Sequence, residues 1–260
     1  MEVHSHTHTA RKKWTHYLWE FIMLFLAVFC GFIAENIREH KIEKHRSEEL
    51  AKSFYQELKD DSVAIHNVMV IRSRKDSALS YLLKYFKDSS INSGSRDFAL
   101  NFSYGIVTLS PGLFEPKDAI LEQLKNSGSL RYFKNLNLQK LTGQLSVAIA
   151  DLKQRNEIET RYSLDRMIPF LIQHNDAGFY YRINPDGKFN LIQAMREFEK
   201  TGASIIFHLS KPETFDRTEA INLSGIYQIV TRGTSNKQYV NYVLLSHQLL
   251  EELRKEYNLE

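Results

Sequence analysis

Residues Phe21 to Ala34 read FIMLFLAVFCGFIA, fourteen positions without a polar side chain, preceded by Arg11-Lys12-Lys13 and by Trp14, Tyr17 and Trp19. A helix that crosses a bilayer needs about 20 apolar residues, so the run by itself is short. Starting the helix at Tyr17 adds Leu18 and Trp19, whose neighbourhood suits the headgroup boundary, and brings the length to about 27 Å at the helical rise. The obstacle is Glu20. The Leu, Ile, Phe and Val side chains between Leu18 and Ile33 contribute roughly −3 to −6 kcal/mol to insertion, against about +3 for a charge at the helix centre and less near an end. Insertion wins, and residues 17–34 are read as an uncleaved transmembrane helix. Signal cleavage wants small residues at positions −3 and −1, which Phe32 before Ala34 does not supply. Bulky Phe29 before Cys30 speaks against a lipoprotein site. The bland alternative is a buried core helix, opposed by aromatic residues that ring the whole segment.

One face of this helix is distinctive. At 100° per residue Ala27, Gly31 and Ala34 all fall within about 40° of Glu20, and Ala27 to Gly31 is the small-xxx-small spacing that lets membrane helices approach closely. Two readings stand side by side. In one, the anchor associates with itself or with another membrane protein, and Glu20 pairs across that contact. In the other, a lone anchor lets Glu20 snorkel to water.

Orientation is less marked, because three basic residues precede the segment and Arg38, Lys41, Lys44 and Arg46 follow it. A short basic tail usually stays in the cytoplasm. The expectation is a bacterial inner-membrane protein whose large C-terminal part lies in the periplasm.

Composition narrows the rest. A 260-residue chain with 43% hydrophobic residues can bury a real core, and its net charge is only +3. Residues 1–35 hold three bases and three acids, so the charge of the remainder is also +3 and no basic domain is hidden by averaging. Nucleic acid is therefore not an expected partner. The only cysteine, Cys30, lies in the anchor, which leaves the soluble part without disulfides or thiol chemistry.

The pattern beyond the anchor is helical throughout. Residues 1–16 are a basic, His-rich tail, and residues 35–49 interleave acids and bases at i,i+4 spacing as a charged juxtamembrane stalk. From residue 50 to the end the chain reads as a helical soluble domain. Phe54, Leu58, Ile65, Val68, Met69, Leu79, Leu82, Leu83 and Phe86 form one stripe, so the anchor is expected to run on through the stalk into the first domain helix. Residues 88–95 read as a loop, and residues 96–112 are ambiguous. Pro116 opens a helix carrying Ile120, Leu121 and Leu124 that ends at Gly128. Asn137 caps a long helix that Pro169 bends or ends. Asn184-Pro185-Asp186-Gly187 is a turn signal that permits a short hairpin, though an amphipathic helix over 188–200 fits the following residues better. Two last helices are expected at 212–232, stopped by Gly233, and at 236–257, with Tyr239, Val243, Leu250 and Leu253 inward. The fold class is mostly α: a transmembrane helix continuing into a stalk and an α-helical bundle, with at most a small β element.

Chemistry-bearing motifs are sparse. His4, His6 and His8 alternate along the tail and can point three imidazoles at one Zn²⁺ or Cu²⁺. A solvated tail is the plainer reading, and no metal or cofactor is assigned. His174 with Asp176 and His208 beside Ser210 are the nearest approach to acid–base pairs, without a nucleophile elbow, zinc-protease helix or phosphate loop around them. Structural or surface roles are the simpler account of both.

Two stretches carry a resemblance: residues 12–46, KKWTHYLWEFIMLFLAVFCGFIAENIREHKIEKHR, and Phe114-Glu-Pro116 with residues 120–131, ILEQLKNSGSLR. Together they resemble an uncharacterised family of single-pass membrane-anchored bacterial proteins, a domain of unknown function. The chain departs from that pattern after Gly128, where the family places Asn-Leu-Arg-Leu-Ile and this chain has Ser-Leu-Arg-Tyr-Phe. The resemblance implies a single N-terminal span and a helical body, and brings no activity, cofactor or catalytic residue. The expected function is a partner-binding or sensing subunit of a membrane assembly. The alternatives are a membrane-tethered, hydrolase-like enzyme, or a subunit of an ion-driven machine that uses Glu20.

Overall fold

The computed structural model describes residues 14–88, 91, 94–108 and 112–260. The described residues are helical or irregular, with no strand among them. Two compact units divide between Leu50 and Ala51.

Helix α1 spans Trp14–Asp88, 75 residues. Its length has a simple origin: the segment contains one glycine, Gly31, and no proline, so nothing in it removes a backbone donor or invites a left-handed turn. The part up to Leu50 is almost wholly exposed. Along it run local pairs at helical spacing, Arg38 on Glu35, Lys44 on Glu48 and His45 on Glu49. Such pairs give a few tenths of a kcal/mol each and keep a polar helix helical without a core.

The second unit is a helical bundle built on residues 51–88 of α1. After it come α2 (Arg96–Phe102), running directly into a π turn at Ser103–Val107, and α3 (Ala119–Asn126). Then follow α4 (Leu136–Tyr162), α5 (Ile168–His174), α6 (Ala177–Ile183), α7 (Leu191–Thr201), α8 (Arg217–Thr234) and α9 (Val240–Tyr257). Short polar caps set the starts: Ser95 accepts from Phe98 N, Asn190 and Gln193 form a reciprocal capping box, and Asp216 accepts from Thr218 and Glu219 N–H. Gly202, at φ 66°, ends α7 in the left-handed conformation that only glycine adopts cheaply.

A phenylalanine-rich core fills one part of the bundle. Ala78, Leu79, Leu82 and Phe86 of α1 meet Phe98 and Phe102 of α2, Phe170, Phe179, Phe198 and Phe207, all buried. Phe98, Phe102 and Phe179 each approach Phe207 with ring centroids 5.2–5.8 Å apart. Each buried ring contributes about 1.5–3 kcal/mol by leaving water, with edge-to-face pairs adding to it. Gly105 in the π turn makes the close approach possible, since a Cβ there would lie 3.1 Å from Leu82 Cδ1. Helix α4 packs antiparallel to the run of α8 and α9: Asn135 Nδ2 reaches Glu252 and Glu256 of α9 at one end, and Arg155 reaches Thr234 and the Val230 carbonyl of α8 at the other.

Several local expectations are corrected. The N-cap of α4 is Asn135, whose side-chain Oδ1 accepts from the N–H groups of Asn137 and Leu138, so the cap stands two residues before Asn137. Pro169 does not end the helix. Its missing N–H and its ring conflict with the carbonyl four residues back, and the chain makes room with a π turn at Ser163–Met167 before continuing as α5. Gly233 does not stop α8 either, because α8 continues through a π turn at Ser235–Tyr239 into α9. Thr234 and Ser235 hydroxyls donate to the Val230 and Thr231 carbonyls four residues back. The buried stripe that follows is Tyr239, Tyr242, Leu245, Leu249 and Leu253, so Tyr239 and Leu253 lie inward as expected and Val243 is exposed. Residues 184–187 do form a turn, with Gly187 N–H on the Asn184 carbonyl, but a helix precedes it and α7 follows, so no hairpin exists. Residues 96–107, ambiguous in sequence, are α2 and its π turn.

Candidate functional site

Two places in the described residues hold more than generic packing: the apolar part of α1, and a polar centre buried inside the second unit.

In the apolar part, an 18-residue window is long and apolar enough to cross a membrane, and none of it is buried in the protein. Phe21, Phe25 and Phe29 stack in series, with centroids 6.4 and 5.9 Å apart. By helical geometry this aromatic row is centred roughly 140° from Glu20, opposite the small residues Ala27, Gly31 and Ala34. A Cβ added at Gly31 would meet nothing within 4 Å. Glu20 is bound by His16 Nε2 at 3.0 Å, one turn towards the N-terminus. The helix thus has an aromatic face and a small-residue face, with its one acid held at the polar end. His4, His6 and His8 lie outside the described residues. Among the described residues no group of three or more His, Cys, Asp and Glu is arranged to hold a metal.

The polar centre begins with the spacing of α1. Leu58, Asp61, Ile65, Val68, Arg72, Lys75, Leu79, Leu82 and Phe86 alternate steps of three and four, the track of a core-facing seam. Three of its members are charged, yet Asp61, Arg72 and Lys75 are only 2%, 6% and 4% exposed. Ions enter such positions only when paired and hydrogen-bonded. Arg72 uses its whole guanidinium. Nη1 and Nη2 grip Glu159 of α4 in a fork at 3.0 and 2.9 Å. Nη1 also donates to the Gly112 carbonyl, Nη2 to the Thr231 carbonyl and Nε to Ser235 Oγ. Its plane lies 4.9 Å from the Tyr239 ring. One side chain thereby ties α1 to α4, to the 112–118 segment, and to the π turn between α8 and α9.

Lys75 donates to the Tyr227 hydroxyl at 3.0 Å and sits over the Tyr227 ring. Asp61 accepts from the Tyr242 hydroxyl at 2.6 Å and from Lys117 N–H, while Glu57 accepts from Ile120 N–H. These two carboxylates of α1 receive the start of α3, a task that Asp118 does not perform for its own helix. Burial pushes the Asp61 and Glu57 carboxyls above the ordinary range, outweighing the bonds they accept, and pushes the Tyr242 phenol well up.

The other acid–base candidates are spent on structure. His174 is buried with Nδ1 facing the Ser210 carbonyl, and the Ser210 hydroxyl donates to the Asn175 carbonyl. Asp176 accepts from Phe179 N–H, His208 N–H and Arg182, which hold its carboxyl below the ordinary range despite partial burial. The imidazole of His174 and the carboxylate of Asp176 therefore have separate partners. Sequence reading passed over Asp61, Arg72, Lys75 and Glu159 altogether. Their signal was the seam itself, in which charges occupy inward positions.

Comparison with family models, with curated proteins and with solved structures finds no match to this chain. The functional reading rests on sequence and geometry.

Proposed function

We propose that this is a single-pass inner-membrane protein of bacteria, whose helical domain binds a partner or reports a condition outside the cytoplasm to a membrane assembly. One observation carries the reading: the most apolar stretch of the chain is a helix with no protein surface against it, and the same helix continues into the seam on which the domain is built. An unpartnered apolar helix of this length is stable in hydrocarbon and costly in water. The small-residue face of Ala27, Gly31 and Ala34 supplies the contact with a second anchor or a partner's membrane helix.

The Glu20 proton-carrier alternative has less support, because Glu20 stands near one end of the span beside His16 rather than at the midplane. The tethered-enzyme alternative has less too, since the ionic groups of the buried centre are engaged in joining helices. The test has two parts. Full-length protein stays in carbonate-washed membranes, and reporter fusions at the C-terminus score as periplasmic; extraction into the supernatant defeats the anchor and a cytoplasmic score defeats the orientation. Separately, Gly31→Leu lowers the oligomeric state in mild detergent, and an unchanged state removes the packing face.

A further inference from the structure

Helix α4 and the run of α8 and α9 lie side by side, and one surface of the pair is bare. The contacts of Asn135 with Glu252 and of Arg155 with Thr234 set their register. They place Val147 level with Val240, and Ile158 level with Ile229. Around these positions Val147, Ile158, Ile226, Ile229, Val240 and Leu244 are between 42% and 73% exposed. By helical geometry Val147 stands on the opposite side of α4 from the buried Leu138, Leu145 and Leu152. The bare surface is therefore not a fringe of the core but a second apolar face, turned away from α1. Scattered single aliphatic residues are ordinary on a monomer, whereas two facing rows of them mark a contact surface. From Lys140 to Arg161 the face is about 30 Å long and two helices wide, on the order of 600 Å². Two such faces reach about 1,200 Å², the lower end of a specific interface.

The charges on this face say what covers it. Asp151 stands one helical turn beyond Val147 and Lys237 three residues before Val240, so an acid and a base lie level near the middle of the face. Both are exposed, and neither has an ion-pair partner among the described residues. A twofold axis across the helices at this level sets Asp151 against the copy's Asp151 and Lys237 against the copy's Lys237, which repels. A twofold axis along the groove lays α4 of one copy on the α8 and α9 run of the other and brings Asp151 to the copy's Lys237 twice. Each helix then has antiparallel neighbours, as in a four-helix bundle. We infer that this face receives a second copy of the same chain, with Val147, Ile158, Ile229 and Val240 covered and Asp151 paired with the copy's Lys237. Two chains held in one membrane need little intrinsic affinity for this contact, because tethering raises their effective concentration. The second-copy contact rests on the membrane reading for that tethering alone, and deepens it by naming the partner of the helical domain.

The test is sedimentation equilibrium of the full chain in mild detergent, run with and without Gly31→Leu so that anchor and domain contacts are separated. Wild type is expected as a dimer. Val147→Glu with Ile229→Glu, at exposed positions that leave the urea midpoint of the second unit unchanged, makes the Gly31→Leu chain monomeric. Asp151→Lys sets two like-charged pairs across the contact and weakens association about tenfold, and adding Lys237→Asp restores it to within about twofold. In membranes, on a Cys30→Ser background, a short bis-maleimide joins a chain carrying Asp151→Cys to a differently tagged chain carrying Lys237→Cys in preference to a second Asp151→Cys chain. The second-copy contact is overturned by a monomeric wild type, by charge reversal without effect, by preferential joining of two Asp151→Cys chains, or by capture of a different protein in place of the copy. Gly31→Leu without effect removes the anchor's packing face and leaves the domain contact standing.

Discussion

The two halves of α1 invert the usual relation between polarity and burial. Residues 14–34 are the most apolar of the chain and lie bare, with Phe32 72% exposed, whereas residues 51–88 carry Asp61, Arg72 and Lys75 into the interior. The difference teaches that burial follows the supply of partners. On the membrane reading proposed above, lipid completes the apolar helix that has no protein around it, and the charged seam is completed by Glu159, Tyr227 and Tyr242 arriving from distant parts of the chain.

The comparison breaks most visibly if the bare half is made polar. Leu24→Arg together with Phe25→Arg adds about 5–7 kcal/mol to an insertion balance of roughly −3 to −6, so the protein leaves carbonate-washed membranes for the soluble fraction. In the buried half, Arg72→Met strands Glu159 in the interior and costs about 3–5 kcal/mol, read as a lower urea midpoint by pulse proteolysis of the second unit. The double change Arg72→Met with Glu159→Met recovers much of that loss. An equal loss in the double variant shows that the carbonyl and hydroxyl contacts of Arg72, rather than its charge pairing, hold the centre.

Truncation sharpens the same contrast. Leu82→Ala costs the second unit about 2–5 kcal/mol, while Leu24→Ala leaves its urea midpoint unchanged, because only Leu82 is packed in the protein. A smaller effect depends on pH. The Asp61 and Glu57 carboxyls are raised in the fold, so the folded state binds protons more readily than the unfolded one. Stability from this source is full below about pH 4, the ordinary range of such groups, and is lost as pH rises through the folded values. Asp61→Asn removes its share of that slope, and parallel urea curves of wild type and variant across pH 4–8 contradict the assignment. The smallest expected change is Asn190→Ala, about 1 kcal/mol from the lost capping box of α7.

Much of this was legible before any coordinates. The apolar run, the helical spacing from Phe54 to Phe86, and Gly128 at the end of α3 all follow from local rules. The misreadings share a cause. Gly233 is a strong local stop signal, overridden where a π turn absorbs the misfit, and of the bend or end expected at Pro169 only the end is avoided, since a π turn precedes the proline and the chain continues as α5. On the inner face of α9 the expected Tyr239 and Leu253 are buried and Val243 is not, because the neighbouring helices cover Tyr242, Leu245 and Leu249 instead. Arg72 escaped notice because charge reads as exposure until its partner is known, and Glu159 lies 87 residues away.

By itself the sequence determined that the chain is helical, that its first helix is apolar enough for a membrane, and that no local motif declares a catalyst; these depend on neighbouring residues and their spacing. Tertiary structure alone decided that α8 and α9 are joined through a π turn, and that charges sit in the seam of α1. Those outcomes depend on which distant groups come within hydrogen-bond reach, a matter that only the packed fold resolves.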